Sequence, residues 1–518
     1  MAKIRIPAGK KNYLKLIVEY GMLYGMKQVK QLGRIFCLLF TAAFCSLFLW
    51  AAAEPKTPAF TIIVGKDASA DGSVLVAHNQ GRTGKNVFVN VHKVPARPHG
   101  PFKKLLLKNH GFIPQPRKTL GFLWFEIPLA DFCDSCMNEK GVVITSNTCR
   151  SREDKPELTD GGIGFMLRRI AAEQAVSARD AVEIAGRLIQ QFGYYGPGQC
   201  YVFADPGEAW ILQAASGKHW VARRVPDDQV AVVSNRFTID KVNLMEEKNY
   251  MGSPDIVGYA VKRGWYNPRK DGEFSFAKVY ADPADYHAKD NVLCQWRGIS
   301  LLAKKKFKPE ALLPFSFKPR KNIRVADLFQ VLRDQYEGTE YESAAAPESK
   351  EVIQHRPICC KFIQYAFVAQ LRRNLPPEIA NLVWVTFHRP DTNAFSPWYF
   401  SITAPPEGWT YGSAEEALKF HFTPLKALPA VDLQYAFWNF VKLTRQVDRY
   451  YRVYIKGVRK EWRNFENYAL KTQRNTEKEF DYLVKKNRDV ALKLITNYVH
   501  RLEYRKWFLV SELIGQTR

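Results

Sequence analysis

Two short apolar runs separated by a polar turn constrain this chain more than any other feature. The first is Ala59-Phe60-Thr61-Ile62-Ile63-Val64, and the second is Val74-Leu75-Val76-Ala77, reached through Asp71-Gly72-Ser73. Runs of this length, β-branched and bounded by Gly, Asp and Ser, read as strands. Residues 61–66 and 74–77 are therefore expected to pair in the central sheets of the fold. They sit close behind a processing signal, so the first strand lies near the start of any mature chain.

That signal is the apolar run Ile35–Trp50, preceded by Arg34 and followed by Ala51-Ala52-Ala53. Basic region, apolar core and small residues are the order of an export signal. The run is short for a spanning helix, which needs about 20 apolar residues. Residues 1–53 thus read as a signal peptide with an extended basic region and Glu54 as the first mature residue. The expected location is periplasmic or secreted, with an N-terminal membrane anchor as the alternative. Phe44 before Cys45 argues against lipidation, which requires a small residue there.

The formal charge of +25 is partly the leader's, and the rest is densest after residue 440. A basic surface suits an anionic envelope or membrane surface, or it is a solvated face. No nucleotide-binding loop, zinc finger or RNA-binding signature is present, so nucleic acid is not expected as a partner. No His/Asp/Glu cluster has ligand spacing, so no metal or cofactor is expected. Seven cysteines remain after Ala53, an odd number for an oxidising compartment. Cys133-x-x-Cys136 has no second pair and no suitably spaced His, so a structural disulfide or buried thiols is the expectation.

From Gly161 the apolar period becomes helical, and Ser177-Ala178-Arg179-Asp180 opens a second helix that Gly193 stops. Apolar runs from Cys200 to Val233, broken by Asp205-Pro206-Gly207, Ser216-Gly217-Lys218 and Pro226-Asp227-Asp228, predict an antiparallel meander. Residues 240–425 look irregular, with an exposed loop over 344–349. After Pro429 there is no proline, and the aromatic and apolar spacing predicts two long helices, one around Phe437–Tyr451 and one around Val484–Ile495. No internal repeat is evident. Three divisions follow: a leader (1–53), a main α+β domain (54–429) and a basic helical region (430–518) packed on it.

The ordered blocks resemble the N-terminal-nucleophile cysteine dipeptidases, the dipeptidase A and secernin family. The carrying segments are Ala59–Lys66, Asp71–Asn79, Met137–Val142, Ser151–Asp154, Asp160–Ile163, Ser177–Val182, Ala204–Trp210, Trp220–Asp228 and Asn235. Together they cover about residues 59–425. The resemblance implies an αββα sandwich and hydrolysis of short peptides. In that chemistry a thiolate attacks the carbonyl, the freed α-amine is its base, and polar neighbours hold the oxyanion.

Ala59 stands where the resemblance requires the nucleophilic cysteine. An acidic cluster after the second strand is replaced by Asn79-Gln80-Gly81-Arg82; Gln199-Cys200 replaces Arg-Thr, and Gln335 replaces His. These changes point to a degenerate or altered site, and hence to a peptide- or envelope-binding module. The alternative is a working peptidase or amidase using Thr61, which shares a strand face with residue 59. That needs cleavage between Phe60 and Thr61. Asn79 and Asn235 are the candidate oxyanion or substrate-positioning groups, and His78 a candidate base. A third reading gives the docking role to the basic helical tail. The sequence says nothing of oligomeric state.

Overall fold

A computed structural model of the chain describes residues 58–84, 86–107, 111–128, 134–164, 166–342, 355–421 and 431–517. The leader, Cys133 and the 344–349 loop lie outside the described residues. The described residues belong to one compact unit, Thr57–Arg518.

In chain order the first half carries β1 (Ala59–Val64), β2 (Val74–Gly81), β3 (Asn90–Val94), β4 (Arg97–Pro98), β5 (Lys104–Leu106), β6 (Phe112–Pro114), β7 (Lys118–Thr119), β8 (Phe122–Glu126), β9 (Ser135–Asn138) and β10 (Val143–Thr148). Two helices follow, α1 (Met166–Gln174) and α2 (Ala178–Phe192), then β11 (Tyr194–Ala204), β12 (Ala209–Gly217), β13 (Trp220–Arg224), β14 (Val230–Val233) and β15 (Tyr250–Gly252). The second half holds α3 (Lys289–Leu302), β16 (Ser316–Phe317), α4 (Val325–Leu332), β17 (Ile363–Leu371), β18 (Asn381–Phe387), β19 (Ser396–Tyr399) and α5 (Ala414–Phe420). Three long helices close the chain: α6 (Ala436–Arg449), α7 (Tyr451–Val484) and α8 (Arg488–Gln516).

The strands form two antiparallel sheets. One has the order β16-β14-β1-β2-β17-β18-β19, and the other β15-β13-β12-β11-β10-β9-β8-β3. Side-chain alternation sorts their faces. From the eight-stranded sheet, Phe125, Val143, Cys200, Val202 and Ile211 join the large core shared with the seven-stranded sheet. Their neighbours Trp124, Ile144, Tyr201, Phe203 and Trp210 instead pack with α1 and α2 in a second core. Phe125 stacks on Phe367 of β17 with centroids 6.3 Å apart, and the Tyr365 hydroxyl donates to Ser135 Oγ at 2.8 Å. These contacts join the two sheets face to face. On the far side of the seven-stranded sheet, α3, α4 and the C-terminal helices complete an α–β–β–α sandwich.

Local sequence explains several boundaries. The Ser177 side chain accepts from Asp180 N, and Gly193, at φ 78°, ends α2 with its N–H on Ile189 O. β1 and β2 pair as expected, with Thr61 opposite His78. The meander is also present, with one correction. β11, β12 and β13 are consecutive in the eight-stranded sheet, whereas β14 crosses to the other sheet and pairs with β1. Pro226-Asp227-Asp228 is where the chain changes sheet, fixed by Gly65 N and Asp67 N donating to Gln229 O and Asp227 O.

Two further expectations change. The stretch 240–425 is not irregular, because β17 and β18 lie inside the seven-stranded sheet. They are buried on both faces, so they lack the polar alternation that marks a half-exposed strand. The C-terminal region is three helices rather than two: Val484 ends α7, and Leu492, Leu494 and Ile495 belong to α8. Asn487 caps α8 by accepting from Asp489 N and Val490 N.

Gly186 is the tightest helix–sheet approach, since a Cβ there would lie 2.1 Å from the Trp220 ring. Gly186→Ala should therefore push α2 off β13 and destabilise the protein by about 1–3 kcal/mol. Chemical denaturation of the variant beside the parent measures this, and an unchanged midpoint would contradict the packing.

Candidate functional site

The site is built where β1 begins. β1 lies between β2 and β14, and residues 59, 61 and 63 face the eight-stranded sheet. Ala59 N donates to Asn235 Oδ1 at 2.9 Å. Asn235 Oδ1 also accepts from Arg356 Nη1 at 3.0 Å, and its Nδ2 donates to Thr148 O at 3.0 Å. Arg356 Nη2 reaches Asn291 Oδ1 at 2.7 Å, and Asn291 Nδ2 returns to Asn235 O at 2.8 Å. The backbone nitrogen of residue 59 is thus held by a side chain fixed on three sides. In an N-terminal nucleophile this nitrogen would be the free amine. In the full-length chain Pro58 precedes it, and the nitrogen is a peptide N–H.

Two residues on, Thr61 is fully buried. Its Oγ1 lies 2.8 Å from His78 Nδ1 and donates to Asn147 Oδ1 at 2.7 Å. His78 Nε2 lies 3.0 Å from Gln80 Oε1, and Gln80 Nε2 donates to Gly81 O at 3.0 Å. Burial outweighs the Gln80 contact and, helped by the Arg168 charge, lowers the His78 pKa to about 4. The ring is neutral at pH 7, with one N–H for two contacts.

A neutral imidazole 2.8 Å from a hydroxyl has the reach of a general base. Thr61 nevertheless lies inside a ladder on both sides, opposite Val233 and His78, with Ala59 and Phe60 upstream of it. Cys149, beside Asn147 in sequence, is no substitute nucleophile. Burial first, then Cys200, push its thiol pKa well up, so it holds its proton.

The structure brings Thr61 and Asn235 to the head of β1 and keeps Asn79 away. Asn79 shares the opposite sheet face with Phe60, and its Nδ2 donates to Leu332 O at 2.9 Å and Ile358 O at 3.0 Å. It ties α4 to β2 and cannot reach an oxyanion at residue 59. Two altered positions also lie elsewhere. Gln199 donates to Ser146 Oγ, which also takes a bond from Arg168 of α1. Gln335 donates to Asp391 and to the Tyr451 hydroxyl. Strand alternation on β11 turns Gln199 away from residue 59, and Gln335 lies in the loop that follows α4.

Sequence reasoning missed Asn147, Asn291 and Arg356. Asn147 could have been found from the alternation of β10, which places it and Val143 on the inner face. Arg356 follows a segment with no motif and carries no such signal.

Residues 59–464 match the model of peptidase family C69. The chain belongs to that family. The match begins at Ala59 and runs into α7, further than the blocks legible by eye. The C69 chain is 30% identical over 372 residues to probable dipeptidase B of Lactococcus lactis, covering 68% of this chain and 77% of that one. It is 28% identical over 354 residues to a probable dipeptidase of Salmonella dublin (65% and 80% covered). Dipeptidase A of Lactobacillus helveticus is 25% identical over 428 residues (77% and 84%). Among solved structures, penicillin V acylase of Agrobacterium tumefaciens aligns with a TM-score of 0.30 at 12% identity, covering 66% of this chain and 85% of that one.

The buried His78 gives a pH prediction. Its folded pKa is depressed from 6.5 to about 4, so its contribution is complete above pH 6.5 and lost as pH falls through 4. Unfolding free energy should drop between those limits by a component of about 3 kcal/mol that His78→Gln lacks. Denaturation midpoints of both proteins at several pH values test this, and parallel profiles would contradict it.

Proposed function

We propose that this C69 protein is an exported dipeptidase homologue that has lost cysteine-dependent hydrolysis and serves as a binding module on the dipeptidase scaffold. One observation carries the reading: residue 59 has a methyl group where the chemistry needs sulfur. No nucleophile is present at that position, and a chain that keeps Pro58 has no free amine there either.

The neighbourhood supports this. Gly81 N donates to Pro58 O at 2.7 Å, extending the β1–β2 ladder one rung upstream of Ala59. A Cβ on residue 81 would lie 2.6 Å from Pro58 O and 2.7 Å from its Cγ. An aspartate at position 81, as the dipeptidase resemblance implies, would not fit beside Pro58. Loss of that side chain goes with retention of the chain ahead of residue 59. Short peptides are the ligand class carried over from the relatives named dipeptidases, and Asn235, Asn291 and Arg356 are the groups that would meet one.

The Thr61–His78 pair favours a second reading, a threonine-type hydrolase. It would require the chain to start at Thr61, removing the residues that Asn235 and Gly81 hold.

The exported protein should begin at Glu54 by mass spectrometry and show no dipeptide hydrolysis sensitive to thiol alkylation. Ala59→Cys alone should remain inactive, because Pro58 still blocks the amine. Alkylation-sensitive turnover by the parent would overturn the proposal. So would a chain starting at Thr61 whose activity Thr61→Ala abolishes.

A further inference from the structure

Between Val94 and Glu126 the chain carries six Lys or Arg and no Asp or Glu. The strands of this segment form a two-stranded arm. β4 pairs with β7 at its base and β5 with β6 further out, with His99 N on Arg117 O and Gln115 N on Lys103 O between them. Its inner side chains Leu105, Leu107 and Ile113 are buried in the core shared with α1. Leu120 N donates to Glu173 O at the end of α1, so the arm is fixed to the body.

The outer face is the reverse of what a solvated ribbon shows. Leu106 and Phe112 are directly opposed across the strands and are 67% and 49% exposed, and Phe102 is 89% exposed. Around them Lys103, Lys104, Arg117 and Lys118 are exposed, and no ion pair holds any of them among the described residues. Lys104 Nζ sits 3.8 Å over the Phe112 ring. Exposed aromatic and leucine side chains among cations of one sign fit an interface that is apolar within and anionic at its surface. A soluble polyanion would use the cations and leave the apolar side chains in water.

We propose that the outer face of the arm's described strands, within 97–107 and 111–119, docks this protein on an anionic lipid bilayer, with Phe102, Leu106 and Phe112 entering the headgroup region. This places the docking surface away from the C-terminal helices, the site expected from charge density alone. There the cations are interleaved with Glu461, Glu466, Glu477, Glu479 and Asp481. Arg459 pairs with Glu337 at 3.3 Å and Arg488 with Glu378 at 3.0 Å.

The test reports from the arm itself, so another membrane-binding segment cannot imitate it. An environment-sensitive fluorophore is attached to Phe102→Cys in the full chain; the six described native cysteines are buried and unpaired. Vesicles of equal phosphatidylcholine and phosphatidylglycerol should shift its emission to the blue, and phosphatidylcholine alone should not. Salt at about 0.5 M should reduce the shift. Lys103→Glu with Lys104→Glu should lower the apparent partition coefficient at least about tenfold. Leu106→Ser with Phe112→Ser should also weaken it, whereas Lys456→Glu with Lys460→Glu should leave it unchanged. No shift on anionic vesicles would overturn the proposal. An equal shift with dextran sulfate would assign the arm to a soluble polyanion instead, and loss of the shift through Lys456 and Lys460 would return docking to the helices.

Discussion

Burial of β1 on both faces and both edges is the constraint on which the rest of the structure depends. A strand in that position can hold a polar side chain only if every partner is supplied from inside the protein, because an unmet polar group there costs more than the bond it lacks. Thr61 meets this through His78 on β2 and Asn147 on β10, and the backbone nitrogen of Ala59 meets it through Asn235. These residues come from three strands and one loop, across both sheets. The same bonds that satisfy β1 therefore set how the sheets are aligned at its head.

The C-terminal helices are held differently. Arg333 Nη1 donates to Glu466 of α7 at 3.0 Å, Arg372 pairs with Glu477 of α7 at 2.7 Å, and Trp398 Nε1 donates to Glu503 of α8 at 2.7 Å. All three carboxylates are buried. Such pairs recover little net energy beyond their desolvation, but a helix slipped by one residue would leave a buried charge unpaired. Apolar packing supplies the attraction, and the bonds to these buried carboxylates choose the register. At the opposite layer His421, just beyond α5, bridges Glu126 at 2.7 Å and Asp134 at 2.9 Å. Burial alone would lower its pKa, yet the two carboxylates raise it to about 9. Its contribution is complete below pH 6.5 and fades as pH rises through 9, opposite in sign to that of His78.

What the sequence made legible follows from where each element is exposed. The α2 cap at Ser177 and stop at Gly193 are local, and the structure has both. β1, β2 and the β11–β13 turns were legible because Gly, Asp and Pro punctuate them. β17 and β18 were not, because a strand buried on both faces has no period to distinguish it from other apolar chain. The sheet change before β14 was hidden as well, since Pro226-Asp227-Asp228 spells a turn whichever sheet follows. At the site, Thr61 and Asn235 were legible through resemblance, whereas Asn79 was misplaced by one step of alternation. Arg356 and Asn291 are brought to Asn235 by tertiary folding alone.

Residues 59 and 81 are physically linked. Ala59 and Gly81 lie 22 residues apart in sequence, yet the carbonyl of Pro58 sits on Gly81 N and its ring where a side chain at 81 would stand. With a side chain at 81, Pro58 would have to move from the position it holds here. Without one, the chain ahead of residue 59 gains a rung of ladder through Gly81 N on Pro58 O. In this structure residue 59 is therefore strand interior, with Pro58 continuing the ladder on its upstream side. Asn235 Oδ1, which holds the nitrogen of residue 59 at 2.9 Å, accepts from an amine or from a peptide N–H alike.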